Sequence, residues 1–184
     1  MAVLGKLARW QRTFILGMVM LPGNCLCAAP LEDMADEYQV KAAFLYNFAK
    51  FVEWPPESFQ NSAEPFTICV LGIDPFGRFL QDVVTGRAIA GRTLVVRHVS
   101  DIRQVAGCQE LFISSAESKR LSPPIGEIRT PGVLTIGDSN SPSPNGAVIN
   151  FMVEGGKVRF GINVNAAERG KLRISSRLLS LGKQ

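Results

Sequence analysis

Phe66-Thr67-Ile68-Cys69-Val70-Leu71-Gly72-Ile73-Asp74-Pro75 is the stretch whose reading decides the fold. An apolar run from Phe66 to Gly72 is too short for a helix and reads as a buried strand. Asp74-Pro75 then starts a helix, since Asp caps and Pro suits the first turn. That helix runs through Phe79, Leu80, Val83 and Val84. A β-branched strand follows over Arg92–Val99. Strand, helix, strand is the unit from which parallel sheets are built.

The rhythm continues outward. Asp101–Val105 reads as a short helix and Glu110–Ser114 as a third strand. Ser115–Leu121 begins a helix that Pro123-Pro124 interrupts, and Gly132–Gly137 is a fourth strand. Asp138–Gly146 (Asp-Ser-Asn-Ser-Pro-Ser-Pro-Asn-Gly) is a loop by composition. Ala147–Val153 and Val158–Val164 read as strands joined at Glu154-Gly155-Gly156, and Gly-Gly signals a hairpin. Val158, Phe160, Ile162 and Val164 alternate with Arg159, Gly161 and Asn163, which buries one face. Ala166–Arg169 is a short helix, and Ser175-Ser176 caps a last one holding Leu178, Leu179 and Leu181. Upstream, Ala35–Trp54 is a long amphipathic helix with Val40, Phe44, Phe48, Phe51 and Val52 on its apolar face, stopped by Pro55-Pro56. Glu37, Gln39, Lys41 and Lys50 supply its polar positions. The expected fold is a single three-layer α/β domain. Its mixed, mostly parallel, Rossmann-like sheet is flanked by helices and ends in a C-terminal β-hairpin.

Residues 1–29 read as an export signal rather than part of that domain. Lys6, Arg9 and Arg12 form a basic start, Phe14–Leu21 is almost wholly apolar, and small residues follow at Cys25, Cys27, Ala28 and Ala29. The run is shorter than the roughly 20 residues that span a bilayer. The chain then divides into a signal at 1–29 and a domain at 30–184. Loss of three basic residues takes the formal charge from +4 to +1. The remaining basic residues are scattered among acids, so a nucleic-acid partner is not expected. A hydrophobic content of 46% argues for a globular fold.

Export also changes how the cysteines read. Cys69 and Cys108 form an even pair in a chain bound for an oxidising space. Two buried thiols or one disulfide both fit the apolar surroundings, and the compartment favours the disulfide. No Cys-x-x-Cys spacing for redox chemistry is present.

Catalytic patterns are missing. His98 is the only histidine, no zinc or iron spacing occurs, and Gly155-Gly156 lies between strands instead of before a helix. The chain is therefore not expected to be an enzyme, to bind a metal or to need a cofactor. One cluster points to ligand binding: Arg159, Asn163, Arg169 and Arg173 fall around a half-exposed strand and the following turn. Such arginines hold a carboxylate or phosphate, or simply form a solvated face.

Tyr38-Gln-Val-Lys-Ala-Ala-Phe-Leu-Tyr-Asn-Phe-Ala-Lys-Phe-Val-Glu-Trp-Pro55 resembles the opening helix of the YfiR-like periplasmic proteins. Ile68–Gly77, Cys108–Ser115 and Val133–Asp138 resemble their strands. Gly146–Phe151, Lys157–Asn163 and Leu172–Leu179 resemble their C-terminal signature. The resemblance implies a periplasmic α/β domain, often a homodimer, with a regulatory role. The family's namesake restrains an inner-membrane diguanylate cyclase by binding its periplasmic part. Reduction or loss of the restrainer releases cyclic-di-GMP synthesis and biofilm growth. Cys69 and Cys108 match the family's structural pair, and a second pair found in the namesake is absent here. Arg173 matches a basic position near a small-ligand pocket. Ser175 stands where the namesake has a histidine, and Gly161 where many members have glutamate. The expected partner is a membrane diguanylate cyclase or related sensor. The alternative is a sensor of an anionic or aromatic metabolite through Arg173, Arg159 and Asn163.

Overall fold

The computed structural model describes residues 30–121, 124–125, 131–138 and 146–183. The expected export signal at 1–29, Pro123 and most of the expected 138–146 loop lie outside the described residues.

Nine strands and five α-helices alternate among these residues. They are α1 (Pro30–Phe51), β1 (Val52–Glu53), β2 (Phe66–Leu71), α2 (Arg78–Val84), β3 (Ala88–Ile89), β4 (Arg92–Val99) and β5 (Glu110–Ile113). Then come α3 (Ser115–Arg120), β6 (Leu134–Asp138), β7 (Ile149–Glu154), β8 (Lys157–Ile162), α4 (Val164–Arg169), β9 (Arg173–Ile174) and α5 (Ser176–Leu181). Seven strands form one sheet in the order β3-β4-β2-β5-β6-β7-β8. The β4-β2, β2-β5, β5-β6 and β6-β7 pairs are parallel. The β3-β4 and β7-β8 pairs are antiparallel. This is the mixed, mostly parallel sheet with a closing hairpin that the alternation predicts.

The two faces are covered unequally. The larger core holds Leu45, Phe48, Ile68, Val70, Phe112, Leu134, Ile136, Phe151 and Phe160 beneath α1. Phe48 meets Phe160 edge-on at 5.0 Å between ring centres, and Phe44 stacks on Phe48 at 5.8 Å. The smaller core on the other face holds Cys69, Leu71, Val99, Val105, Cys108, Leu111 and Ile113. β2 is buried at all six positions, as a central parallel strand must be.

Several boundaries differ from the sequence expectation, each for a local reason. α1 starts at Pro30, a good first-turn residue, and ends at Phe51 instead of Trp54. Val52-Glu53 leave the helix to pair antiparallel with Ile174-Arg173. Asp74 does not start α2. Its carboxylate accepts from the Phe76 amide at 2.7 Å, and the chain turns through Gly77 at φ +54° before the helix forms. The short helix expected over Asp101–Val105 is a 3-10 turn over Ile102–Gln104, capped by Asp101. Strand alternation in β8 stops at Ile162, because Asn163 caps α4 through its side-chain oxygen and Val164 enters that helix. Asp138 belongs to β6 and is buried, not to the loop that its composition suggests.

Candidate functional site

Counting only the five parallel strands in chain order, the sheet runs 2-1-3-4-5, so its direction of growth reverses between β2 and β5. Open α/β sheets bind ligands at that reversal, beyond the carboxyl ends of the strands. Here the Glu117 side chain lies close to the backbone at that point. A methyl group added to Gly72 (φ +80°), just after β2, would lie 2.8 Å from Glu117 Oε2 of α3. A carboxylate over the crevice disfavours an anionic ligand there.

Beside it lies a buried ionic cluster. Lys41 is 1% exposed, and its ammonium donates to Asp138 Oδ1 at 2.6 Å and to Glu37. The Tyr38 hydroxyl donates to Asp138 Oδ2 at 2.9 Å. Burial first, then the adjacent Asp138 carboxylate, push the Tyr38 hydroxyl well above its usual pKa. Lys41 lies over the Tyr38 ring at 4.6 Å, and Tyr38 meets Phe76 edge-on. The cluster therefore ties α1 to the carboxyl ends of β2 and β6. The reading of Lys41 as an outward polar residue is corrected: it follows Tyr38 by three residues and precedes Leu45 and Phe48 by four and seven, which places it on the inward face. That phase was the available signal.

His98 is the second-last residue of β4, and its Nε2 lies 2.8 Å from Asp74 Oδ2. Among the described residues, no three histidine, cysteine or carboxylate side chains are grouped to hold a metal ion.

At the amino-terminal end of the sheet, Gln109 is fully buried and acts as a hub. Its side-chain oxygen accepts from Thr67 N at 2.8 Å, and its side-chain nitrogen donates to Ser58 O at 2.8 Å. Trp54 Nε1 donates to its carbonyl at 3.0 Å. An open cleft of about 320 Å³ lies nearby, lined by Glu57, Ser58, Arg103, Cys108, Gly132 and neighbours. Its charges are already paired: Glu57 with Lys171 at 3.1 Å, and Arg103 with Asp101, whose carboxyl that guanidinium lowers to about 2. Cys69 and Cys108 are joined in a disulfide between the β2 strand and the residue group before β5, 39 residues apart in sequence.

The four polar residues of the proposed ligand cluster fall in different settings. Arg173 is 86% exposed on β9, and its one ion pair among the described residues, to Glu53, is 3.7 Å long. Arg159 is exposed on β8 opposite Met152. Asn163 accepts from the Ala166 amide as the cap of α4, and Arg169 lies exposed in the last turn of that helix. The burial of Glu110 escaped the sequence reading: it is fully buried in β5, and among the described residues neither carboxylate oxygen has a partner.

Comparison with known families gives a match to the YfiR/HmsC-like family model over residues 38–183. The match begins at Tyr38 and runs through every strand of the large sheet to the last residues of the domain. Proteins of this family are, in general, periplasmic, non-catalytic regulators of diguanylate cyclase signalling. With the mixed sheet and disulfide described above, and the match spanning residues 38–183, the chain belongs to the YfiR/HmsC-like family.

Proposed function

We propose that this protein is a periplasmic negative regulator that binds the periplasmic part of an inner-membrane diguanylate cyclase and restrains it. Bound cyclase makes less cyclic-di-GMP, and biofilm formation falls. The observation that carries this reading is the family match over residues 38–183. The disulfide is compatible with a protein of an oxidising compartment. Intracellular cyclic-di-GMP in cells with and without the gene tests it. Deletion raises the nucleotide if the protein restrains a cyclase; an unchanged level sinks the reading. The reading includes removal of residues 1–29 on export, which N-terminal sequencing of periplasmic protein checks. It also includes a homodimer, which sedimentation at micromolar concentration checks.

A second reading is favoured by one observation, the exposed Arg173 guanidinium, whose ion pair to Glu53 is long. In it the protein senses an anionic or aromatic metabolite through Arg173, Arg159 and Asn163. A panel of such metabolites then raises the melting temperature of the protein, and Arg173→Ala removes the rise. An equal rise in the variant eliminates Arg173 as the reader.

A further inference from the structure

β4 is an edge strand for most of its length. On one side it pairs with β2 from Leu94 to Val99. On the other, β3 covers only Arg92 and Thr93. Backbone direction alternates along a strand. The Leu94 amide points away from β2, to the Arg87 carbonyl at 3.1 Å, whereas the Val99 carbonyl points toward β2 and accepts from Gly72. Val96 and His98 share the parity of Leu94, so their N–H and C=O groups face outward. Among the described residues these four groups have no partner. At the opposite edge, Lys183 donates to the Phe160 carbonyl of β8 at 2.8 Å and closes part of it.

The strand's own charges are all basic, with Asp74 already lying against His98 at 2.8 Å. β4 (Arg-Thr-Leu-Val-Val-Arg-His-Val) carries Arg92, Arg97 and His98 and no carboxylate. The Arg97 guanidinium is anchored by Nη2 alone, to Ala106 O at 2.7 Å, Gln104 O at 3.4 Å and Cys108 Sγ at 3.1 Å. Among the described residues Nε and Nη1 have no partner, which leaves half of the fork for an incoming carboxylate.

From this geometry we infer that the open edge at Val96–His98 accepts an extended acidic segment of a partner protein by strand addition, with a carboxylate opposite Arg97. Main-chain hydrogen bonds to Val96 and His98 supply affinity, and Arg97 supplies the charge preference. A second copy of this chain fits the edge poorly. Two-fold pairing through Val96 and His98 sets Arg97 against its own copy, and like charges directly opposite are unfavourable. Pairing centred on Val96 or on His98 needs the amide of Leu94 or of Ser100, which Arg87 O and Gln104 Oε1 already hold. The inference deepens the regulator reading by naming the surface that meets the membrane partner.

The test uses the exported protein and the peptide acetyl-Ser-Thr-Val-Glu-Val-Thr-Ser-amide. At saturating peptide, exchange of the Val96 and His98 amides slows by at least about tenfold, and the same peptide with lysine for glutamate has a smaller effect. Val96→Pro removes an outward N–H without touching the ladder to β2 and abolishes the protection. Arg97→Glu, at an exposed residue, reverses the preference between the two peptides. Melting curves confirm that both variants fold. Unchanged exchange at Val96 and His98 with peptide overturns the inference. So does protection that appears without peptide and grows with protein concentration, which would make a second copy the occupant. If the acidic peptide binds while the periplasmic part of the cyclase does not, the edge stands as a docking site and the cyclase reading falls.

Discussion

Glu110 and Lys41 are both buried ionisable residues, and their partners decide opposite outcomes. By strand alternation Glu110 shares a face with Phe112, between Ile68 of β2 and Leu134 of β6, all in the larger core. With no hydrogen-bond partner among the described residues, burial pushes its carboxyl well above the usual range near 4.5. The folded-state value is raised, so the stabilising contribution is complete below about pH 4.5 and is lost as pH rises toward the folded value. Urea unfolding at pH 5 and pH 8 should show the wild type weakening at up to about 1.4 kcal/mol per pH unit within that window. Glu110→Leu should remove this term and raise stability at pH 7 by about 1–3 kcal/mol, since no unsatisfied polar group remains. If the variant is less stable than wild type at both pH values, the carboxyl has a partner and the argument is wrong. Lys41 is paired instead. Lys41→Ala should cost about 3–5 kcal/mol by leaving Asp138 and Glu37 uncompensated. Joint replacement with Asp138→Ala should cost less than the sum of the two single changes, a coupling measured by a double-mutant cycle. Neither residue announced itself locally. Glu110 precedes an ordinary apolar run, and only Lys41's helical phase hinted at burial.

At the scale of elements, two residues adopt backbone that glycine or asparagine would hold more easily. Lys171 sits at φ +58° just beyond α4. The Lys171 amide donates to Glu168 O and the Leu172 amide to Ala167 O, the paired bonds of a helix terminus whose left-handed position is usually glycine. Its ion pair with Glu57 is exposed and worth little. Lys171→Gly should therefore stabilise the protein by about 0.5–1 kcal/mol, read as a higher urea midpoint with an unchanged slope. Ala90 at φ +50° precedes Gly91 at φ +79° in the two-residue turn between β3 and β4, a turn that prefers Asn-Gly. Ala90→Asn should likewise raise the midpoint. A lower midpoint for either variant would show that side-chain contacts outweigh backbone strain. Most strands were legible at this scale, because β-branched and apolar runs with glycine at their ends are local signals. The two-residue strands β1, β3 and β9 were not, since each exists only through its partner.

For the whole molecule, the Cys69–Cys108 bond closes a separation of 39 residues between strands that are neighbours in the sheet. In the chain-entropy model that closure is worth about 4 kcal/mol. Reduction, or Cys69→Ala with Cys108→Ala, should lower the melting temperature by many degrees, and an unchanged melt would mean that the folded state gains nothing from the link. By itself the amino-acid order determined the α/β class, the parallel strand succession, the closing hairpin and the family, because hydrophobic period and turn chemistry act over a few residues. Only the tertiary structure decided that Lys41 meets Asp138 across 97 positions, that Glu110 is buried with no partner among the described residues, and which strand edge stays open. Those outcomes depend on which elements become neighbours, and burial and pairing of a charge are properties of the neighbours rather than of the residue that carries it.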